Sequence, residues 1–115
     1  PAAAIAAGLH PYFLDVDKTT QALSPDQVKL QLKTMQEKVG AVIAVAPYGE
    51  AVDVAAWDSF TEETGIPVVI DAAAGFDALA SGAMTVGQTP VMVSLHATKI
   101  AGIGEGGLLL TQNKT

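Results

Sequence analysis

The stretch Val68-Val69-Ile70-Asp71-Ala72-Ala73 decides how this chain is read. It opens as an unbroken apolar run, stops on a carboxylate and passes into small residues. Branched apolar residues without polar alternation predict a strand inside a parallel sheet, covered on both faces. The aspartate then falls at the carboxyl edge, where open α/β sheets bind ligands. Upstream, a helix is predicted from Asp53 to Thr64, capped by Asp53, with Val54, Trp57 and Phe60 inward and Gly65 closing it. Before it lie the turn Pro47-Tyr48-Gly49 and the apolar strand Ala41 to Ala46. Ser24-Pro25-Asp26 opens an earlier helix, with a capping serine, an early proline and an acid at the positive dipole end. Its residues Val28, Leu32, Met35 and Val39, spaced 4, 3 and 4, make one apolar stripe that ends at Gly40. Ala2 to Ala7 reads as helical up to Gly8, and Tyr12 to Val16 as a strand. Downstream come a small-residue segment from Ala72, a strand from Val91 to Ser94, a glycine-rich loop from Gly102 to Gly107 and a strand from Leu108 to Thr111. Strands alternating with helices predict an α/β fold: a mostly parallel sheet with flanking helices, in one domain or part of one over residues 1–115.

Composition narrows the classes. Half the 115 residues are hydrophobic and 16% are charged, which argues against disorder. A net charge of -6, from 6 basic and 12 acidic residues, leaves no basic stripe for nucleic acid. No apolar run nears the roughly 18 residues that cross a membrane, and no charged segment precedes the alanine-rich start as a signal peptide requires. Cysteine is absent, so neither disulfides nor thiolate chemistry enter; cytoplasm is the default. The chain opens on Pro1, inside a helical stretch, and stops just after an apolar run. Both ends read as cuts in a longer protein.

Three polar residues stand at predicted strand ends: Asp15, Asp71 and Ser94. Lys99 follows Ser94 by five residues, beside the glycine-rich loop, with Ala97, Ile100, Ala101 and Ile103 around it. Such neighbours predict a desolvated lysine, and desolvation favours the neutral, nucleophilic amine. A nucleophilic amine attacks carbonyl carbons, while a nearby strand-end aspartate can hold a protonated ring nitrogen. Pyridoxal phosphate (PLP) needs this pair: a lysine for its aldehyde and a carboxylate for its pyridinium. Taken singly, each residue has a plainer reading, a solvated surface lysine or a turn-capping aspartate. The glycine-rich loop has neither the spacing of a dinucleotide fingerprint nor the ending of a P-loop.

In order, the motifs resemble the DegT/DnrJ/StrS sugar aminotransferases, which are fold-type I PLP-dependent enzymes. Val68 to Ala73 resembles that family's strand ending in Asp-Ala-Ala, and Ser94-Leu95-His96-Ala97-Thr98-Lys99 its Ser-Phe-His-x-x-Lys. Gly104-Glu105-Gly106-Gly107 resembles the Gly-Glu-Gly-Gly that follows, and Leu108 to Thr111 the next strand. Lys99 follows Asp71 by 28 residues, which suits the family. Ala7 to Asp17 is similar to the family's strand ending in Asp-Val-Asp, and Pro47 to Asp53 to its turn and helix start.

The resemblance implies an amino-group transfer from an amino-acid donor, usually glutamate, to a keto sugar carried on a nucleotide. It implies that Lys99 bears the cofactor as a Schiff base and shuttles protons, and that Asp71 pairs with the pyridine nitrogen. Ser94 would bind the cofactor phosphate and Ala73 would lie against a ring face. His96 either orients the loop or is a packed, hydrogen-bonded histidine; Glu105 is structural or catalytic. The resemblance further implies a homodimer whose subunits complete each other's sites, a phosphate-binding loop upstream of the matching region and a small domain downstream. Ala74 departs from the Gln or His that usually meets the ring hydroxyl, Leu95 from the usual Phe, and Ala46 from the usual His. Two rivals stand beside this reading: another fold-type I enzyme acting on amino acids, and a non-catalytic α/β scaffold.

Overall fold

In the computed structural model, which describes residues 1–114, four strands form one sheet in chain order. They are β1 (Val42–Val45), β2 (Val68–Asp71), β3 (Val91–Ser94) and β4 (Gly107–Leu110). The first three are parallel and β4 runs antiparallel to β3. Helices α1 (Ala2–Ala6) and α2 (Pro25–Leu32) precede β1, α3 (Val54–Thr64) links β1 to β2, and the short α4 (Phe76–Ala80) lies between β2 and β3. The reversal at β4 has a simple cause. Parallel strands need a long crossover, usually helical, and residues 95–106 contain no helix.

α3 sets the core. Asp53 Oδ1 accepts the Ala56 N–H at 3.0 Å, which caps its first turn. Gly65, at φ 68, ends it in the left-handed conformation that glycine adopts without strain. Val54, Trp57 and Phe60 recur every third residue and are all buried. The Trp57 and Phe60 rings meet edge to face, with centroids 5.5 Å apart. Against them pack Val42, Ala44, Val68, Ile70, Val91 and Val93, one alternate set from β1, β2 and β3, with Val28 of α2 and Ala78 of α4.

The other alternate set does not pack. Ile43, Val45 and Val69 are exposed on the opposite face, with Leu109 at 65%. The expectation of strands covered on both faces is therefore corrected. Among the described residues α2, α3 and α4 supply the side chains of the packed face, and the other face is an open, largely apolar floor.

Two further expectations change. Tyr12 to Val16 forms no strand: no ladder partner meets it, and Phe13 is 75% exposed while Leu14 alone touches the core. Of the expected stripe, Val28, Leu32 and Val39 reach the core, but the helix stops at Leu32. There the ladder tightens, with Lys33 N–H on Leu30 O and Thr34 N–H on Gln31 O, and the Thr34 hydroxyl also donates to Gln31 O at 2.9 Å. Val39 still packs against the core without being helical.

Asp58 ties α3 to the approach of β3. Its carboxylate accepts the Gln88 N–H at 3.0 Å and the Thr89 N–H at 2.6 Å. A Cβ on Gly87 would come within 2.2 Å of Asp58 Oδ2, so a larger residue there would displace the carboxylate. Burial pushes the Asp58 carboxyl up, but hydrogen bonds from the Thr89 side chain and from the Thr89 and Gln88 amides outweigh it and hold the group below 3.8.

Two stability outcomes follow from this packing. Phe60→Ala, which empties a fully buried ring site, is expected to cost about 3–5 kcal/mol in denaturant unfolding. Asp58→Ala is expected to cost about 2 kcal/mol near neutral pH, because it orphans the two amides. A carboxyl with a lowered folded-state pKa stabilises fully above its unfolded value, 3.8, and loses that contribution as pH falls through the folded value. The charge-dependent part of the gap between wild type and Asp58→Asn should therefore shrink as pH is lowered below 3.8 and through the folded-state value.

Candidate functional site

The parallel register pairs Val45 with Asp71 and Asp71 with Met92, and the antiparallel one pairs Met92 with Leu109. Because directly paired residues share a face, Asp71 lies on the open floor. Two residues beyond Met92, Ser94 lies on that floor as well. Asp71 and Ser94 thus end neighbouring strands on one side of the sheet, both half-buried. The Ser94 N–H donates to Ala73 O at 3.3 Å and the Ala72 N–H to Met92 O at 2.9 Å, which carries the pairing past the last residue of β2.

Each group has spare bonding capacity. Asp71 Oδ1 accepts the Ala73 N–H at 3.1 Å, and among the described residues nothing reaches Oδ2. The Ser94 hydroxyl accepts the His96 N–H at 3.2 Å, which leaves its own proton to donate. Ala73, the next candidate, is half-buried just past Asp71. The turn Pro47–Gly49 braces this segment from the β1 side: a Cβ on Gly49, which has φ 86, would stand 2.7 Å from Ala74 O.

Lys99 sits in the loop that leaves β3, half-buried, its amine without a hydrogen-bond or ion-pair partner among the described residues. The apolar cage expected around it is not formed by its sequence neighbours. Ile100 and Ile103 are each 76% exposed and Ala97 is exposed too, so these side chains turn outward. The backbone of the loop is well fixed instead. Lys99 N–H donates to His96 O at 2.8 Å, Gly102 N–H to Lys99 O at 2.9 Å, and Ala97 N–H to Gly104 O at 2.7 Å. A Cβ on Gly102 would stand 2.8 Å from the carbonyl oxygens of His96, Ala97 and Lys99, so the turn closes only around glycine.

His96 is exposed but engaged. Its Nδ1 accepts the Thr98 N–H at 3.2 Å and lies 2.8 Å from the Thr98 hydroxyl, and its Nε2 faces Glu105 Oε1 at 3.6 Å. The sequence reading overlooked Thr98; its place two residues after a histidine and one before the candidate lysine was the available signal. Asp15, the third of the polar residues expected at strand ends, lies in a segment that forms no strand. It borders a surface hollow of about 370 Å³ beside Tyr12 and Leu30.

This donor set fits PLP: a free carboxylate oxygen for a ring N–H, a hydroxyl proton for a phosphate oxygen and an unpaired amine for an aldehyde. Among the described residues no cluster of three or more His, Asp or Glu could hold a metal ion, and no helix is long and apolar enough to cross a membrane.

Comparison with known proteins meets the same picture. Protein Rv3402c of Mycobacterium tuberculosis (strain ATCC 25618 / H37Rv) is 27% identical over 114 residues, which cover 96% of this chain and 28% of that protein. A pleiotropic regulatory protein of Geobacillus stearothermophilus is 34% identical over 110 residues, 93% of this chain and 28% of its own length. Among solved structures, one from Bacillus cereus ATCC 10987, described as a PLP-dependent aminotransferase, superposes with a TM-score of 0.86 at 36% identity, covering 99% of this chain and 31% of that one. The enzyme DesI, solved in the presence of its TDP-sugar product, gives a TM-score of 0.79 at 29% identity over 98% of this chain and 28% of its own. This chain spans under a third of the length of these relatives. The family model of the DegT/DnrJ/EryC1/StrS aminotransferases matches residues 1–115. With the motifs in order, the mostly parallel sheet shared with these structures and a match from first residue to last, this chain belongs to the DegT/DnrJ/EryC1/StrS aminotransferase family.

Proposed function

We propose that this chain is the cofactor-holding part of a PLP-dependent aminotransferase large domain, with Lys99 as covalent anchor. The observation that carries the reading is the shared face of Asp71 and Ser94. Two strand-end groups with unused bonding capacity point from one floor, and an unpartnered lysine lies in the next loop. The 36% identity to the Bacillus cereus structure supports the cofactor. The likeness to DesI, whose product is a TDP-sugar, supports a nucleotide-linked keto sugar as amino-group acceptor. The donor in this reading is an amino acid, glutamate by family resemblance, and the enzyme is a cytoplasmic homodimer in which a second subunit completes each site.

When bound, PLP supplies an aldehyde that links reversibly to amines and a ring that takes up the electron pair left on the substrate carbon. Asp71 Oδ2 would accept the hydrogen bond of a protonated ring nitrogen and hold the positive charge there. Ser94 donates its hydroxyl proton to a phosphate oxygen, and Ala73 offers a small apolar surface to the ring. Lys99 Nζ would be the amine that holds the aldehyde and, once free, the general base for the proton on the donor's α-carbon.

The test is to incubate the intact protein with PLP, reduce with borohydride and map the peptides. A single pyridoxyl group on Lys99 is expected, with a shifted visible band that Lys99→Ala abolishes. Asp71→Asn should weaken cofactor binding by roughly tenfold or more, as loss of a hydrogen bond to a charged group does. Glutamate should discharge the band in the wild type. Label spread over the six lysines and the amino terminus would refute the anchor and leave the scaffold as the better reading.

A further inference from the structure

Three donors in the lysine turn converge on one residue. The Thr98 N–H and the Thr98 hydroxyl both reach His96 Nδ1, at 3.2 and 2.8 Å, and the Lys99 N–H reaches His96 O at 2.8 Å. A backbone N–H can only donate, so Nδ1 is the accepting nitrogen and the neutral ring carries its proton on Nε2. The Thr98 hydroxyl, facing the same bare nitrogen, donates as well. On the far edge of the ring, Glu105 Oε1 stands 3.6 Å from Nε2, beyond hydrogen-bond length, on a side chain that is 86% exposed. The histidine is itself held: its N–H donates to Ser94 Oγ and its backbone bridges to Gly104. A continuous set of bonds therefore runs from the end of β3 through His96 to the residue before Lys99, and stops short of the lysine amine.

We propose that Thr98 is a positioning residue for Lys99, clamping the lysine turn to the Nδ1 edge of His96 so that the amine meets its aldehyde from a fixed backbone. The proposal rests on the reading of Lys99 as the cofactor anchor. Fixed geometry raises the rate at which a tethered amine finds its electrophile. Thr98 presents two donors to the one Nδ1 lone pair, its N–H at 3.2 Å and its hydroxyl at 2.8 Å, where a residue without a hydroxyl presents only the N–H. Glu105 adds nothing essential in this account.

The intact apoprotein is the material for the test. PLP is added, borohydride stops the reaction after a short fixed time, and pyridoxyl on Lys99 is measured against that on the exposed Lys18. Thr98→Val should slow labelling of Lys99 by roughly fivefold to tenfold, the factor expected for one lost hydrogen bond, and leave Lys18 unchanged. Thr98→Ser should restore the rate, and Glu105→Gln should match the wild type. Separately, nitrogen NMR of labelled histidines should find His96 bare at Nδ1 and protonated at Nε2, with His96→Phe identifying the signals. Equal labelling of Lys99 in wild type and a folded Thr98→Val would overturn the clamp and leave the anchor standing. No labelling of Lys99 in the wild type would remove the anchor and, with it, the positioning role of Thr98. If Thr98→Val fails to fold, the tautomer decides: a proton on Nδ1 refutes the clamp.

Discussion

Everything proposed for this molecule depends on the parallel pairing of β2 with β3. Only two pairs define it, Ile70 with Val91 and Asp71 with Met92, extended by the Ile70 N–H on Pro90 O and the Ser94 N–H on Ala73 O. Side chains alternate with a period of two, so a slip of one residue would send Ser94 to the helical side while Asp71 stayed on the floor. What prevents the slip is the packed side. Ile70, Val91 and Val93 are essentially inaccessible beneath Trp57 and Phe60, and a slip would expose Val91 and Val93 and bury Met92 and Ser94 in their place. The hydrophobic core thus holds the polar pair in register, although no core residue belongs to the site.

One-sidedness is the other organising fact. Helices α2, α3 and α4 shield one face, while the face bearing Asp71 and Ser94 is floored by Ile43, Val45, Val69 and Met92 and remains accessible. An apolar floor with two polar groups at its carboxyl edge suits a flat aromatic ring that carries charge at opposite ends. Lys99 lies in the loop after β3, on a backbone braced by its own hydrogen bonds and by Gly102. Residues 95–106 gain rigidity from local bonds rather than from burial, since most of their side chains are exposed.

Much of this was legible in the sequence where the determining physics is local. Asp53 and Gly65 bound α3 because a carboxylate cap and a left-handed glycine act on neighbouring residues. The inward set Val54, Trp57 and Phe60 followed from helical spacing. The apolar runs before them placed Asp71 and Ser94 at strand ends. The failures were non-local. Tyr12 to Val16 has a strand's composition, but a strand exists only with a partner, which no local pattern reveals. Continuous apolar runs suggested cover on both faces, yet Ile43 and Val69 are as apolar as Val42 and Val68, and only the placement of the helices tells them apart. The neighbours of Lys99 were apolar as expected, but a tight turn points Ile100 and Ile103 outward. Thr98 escaped notice because its significance lies in the direction of two bonds to His96.

The central claim is that one sheet face holds both ends of the cofactor, and a crystal structure of the intact protein soaked with PLP tests it most directly. The ring nitrogen is expected on Asp71 Oδ2 and a phosphate oxygen on the Ser94 hydroxyl, both on the face floored by Val45 and Met92. A cofactor bound elsewhere, or an Asp71 carboxylate turned from it with both oxygens occupied by its own backbone, would contradict it.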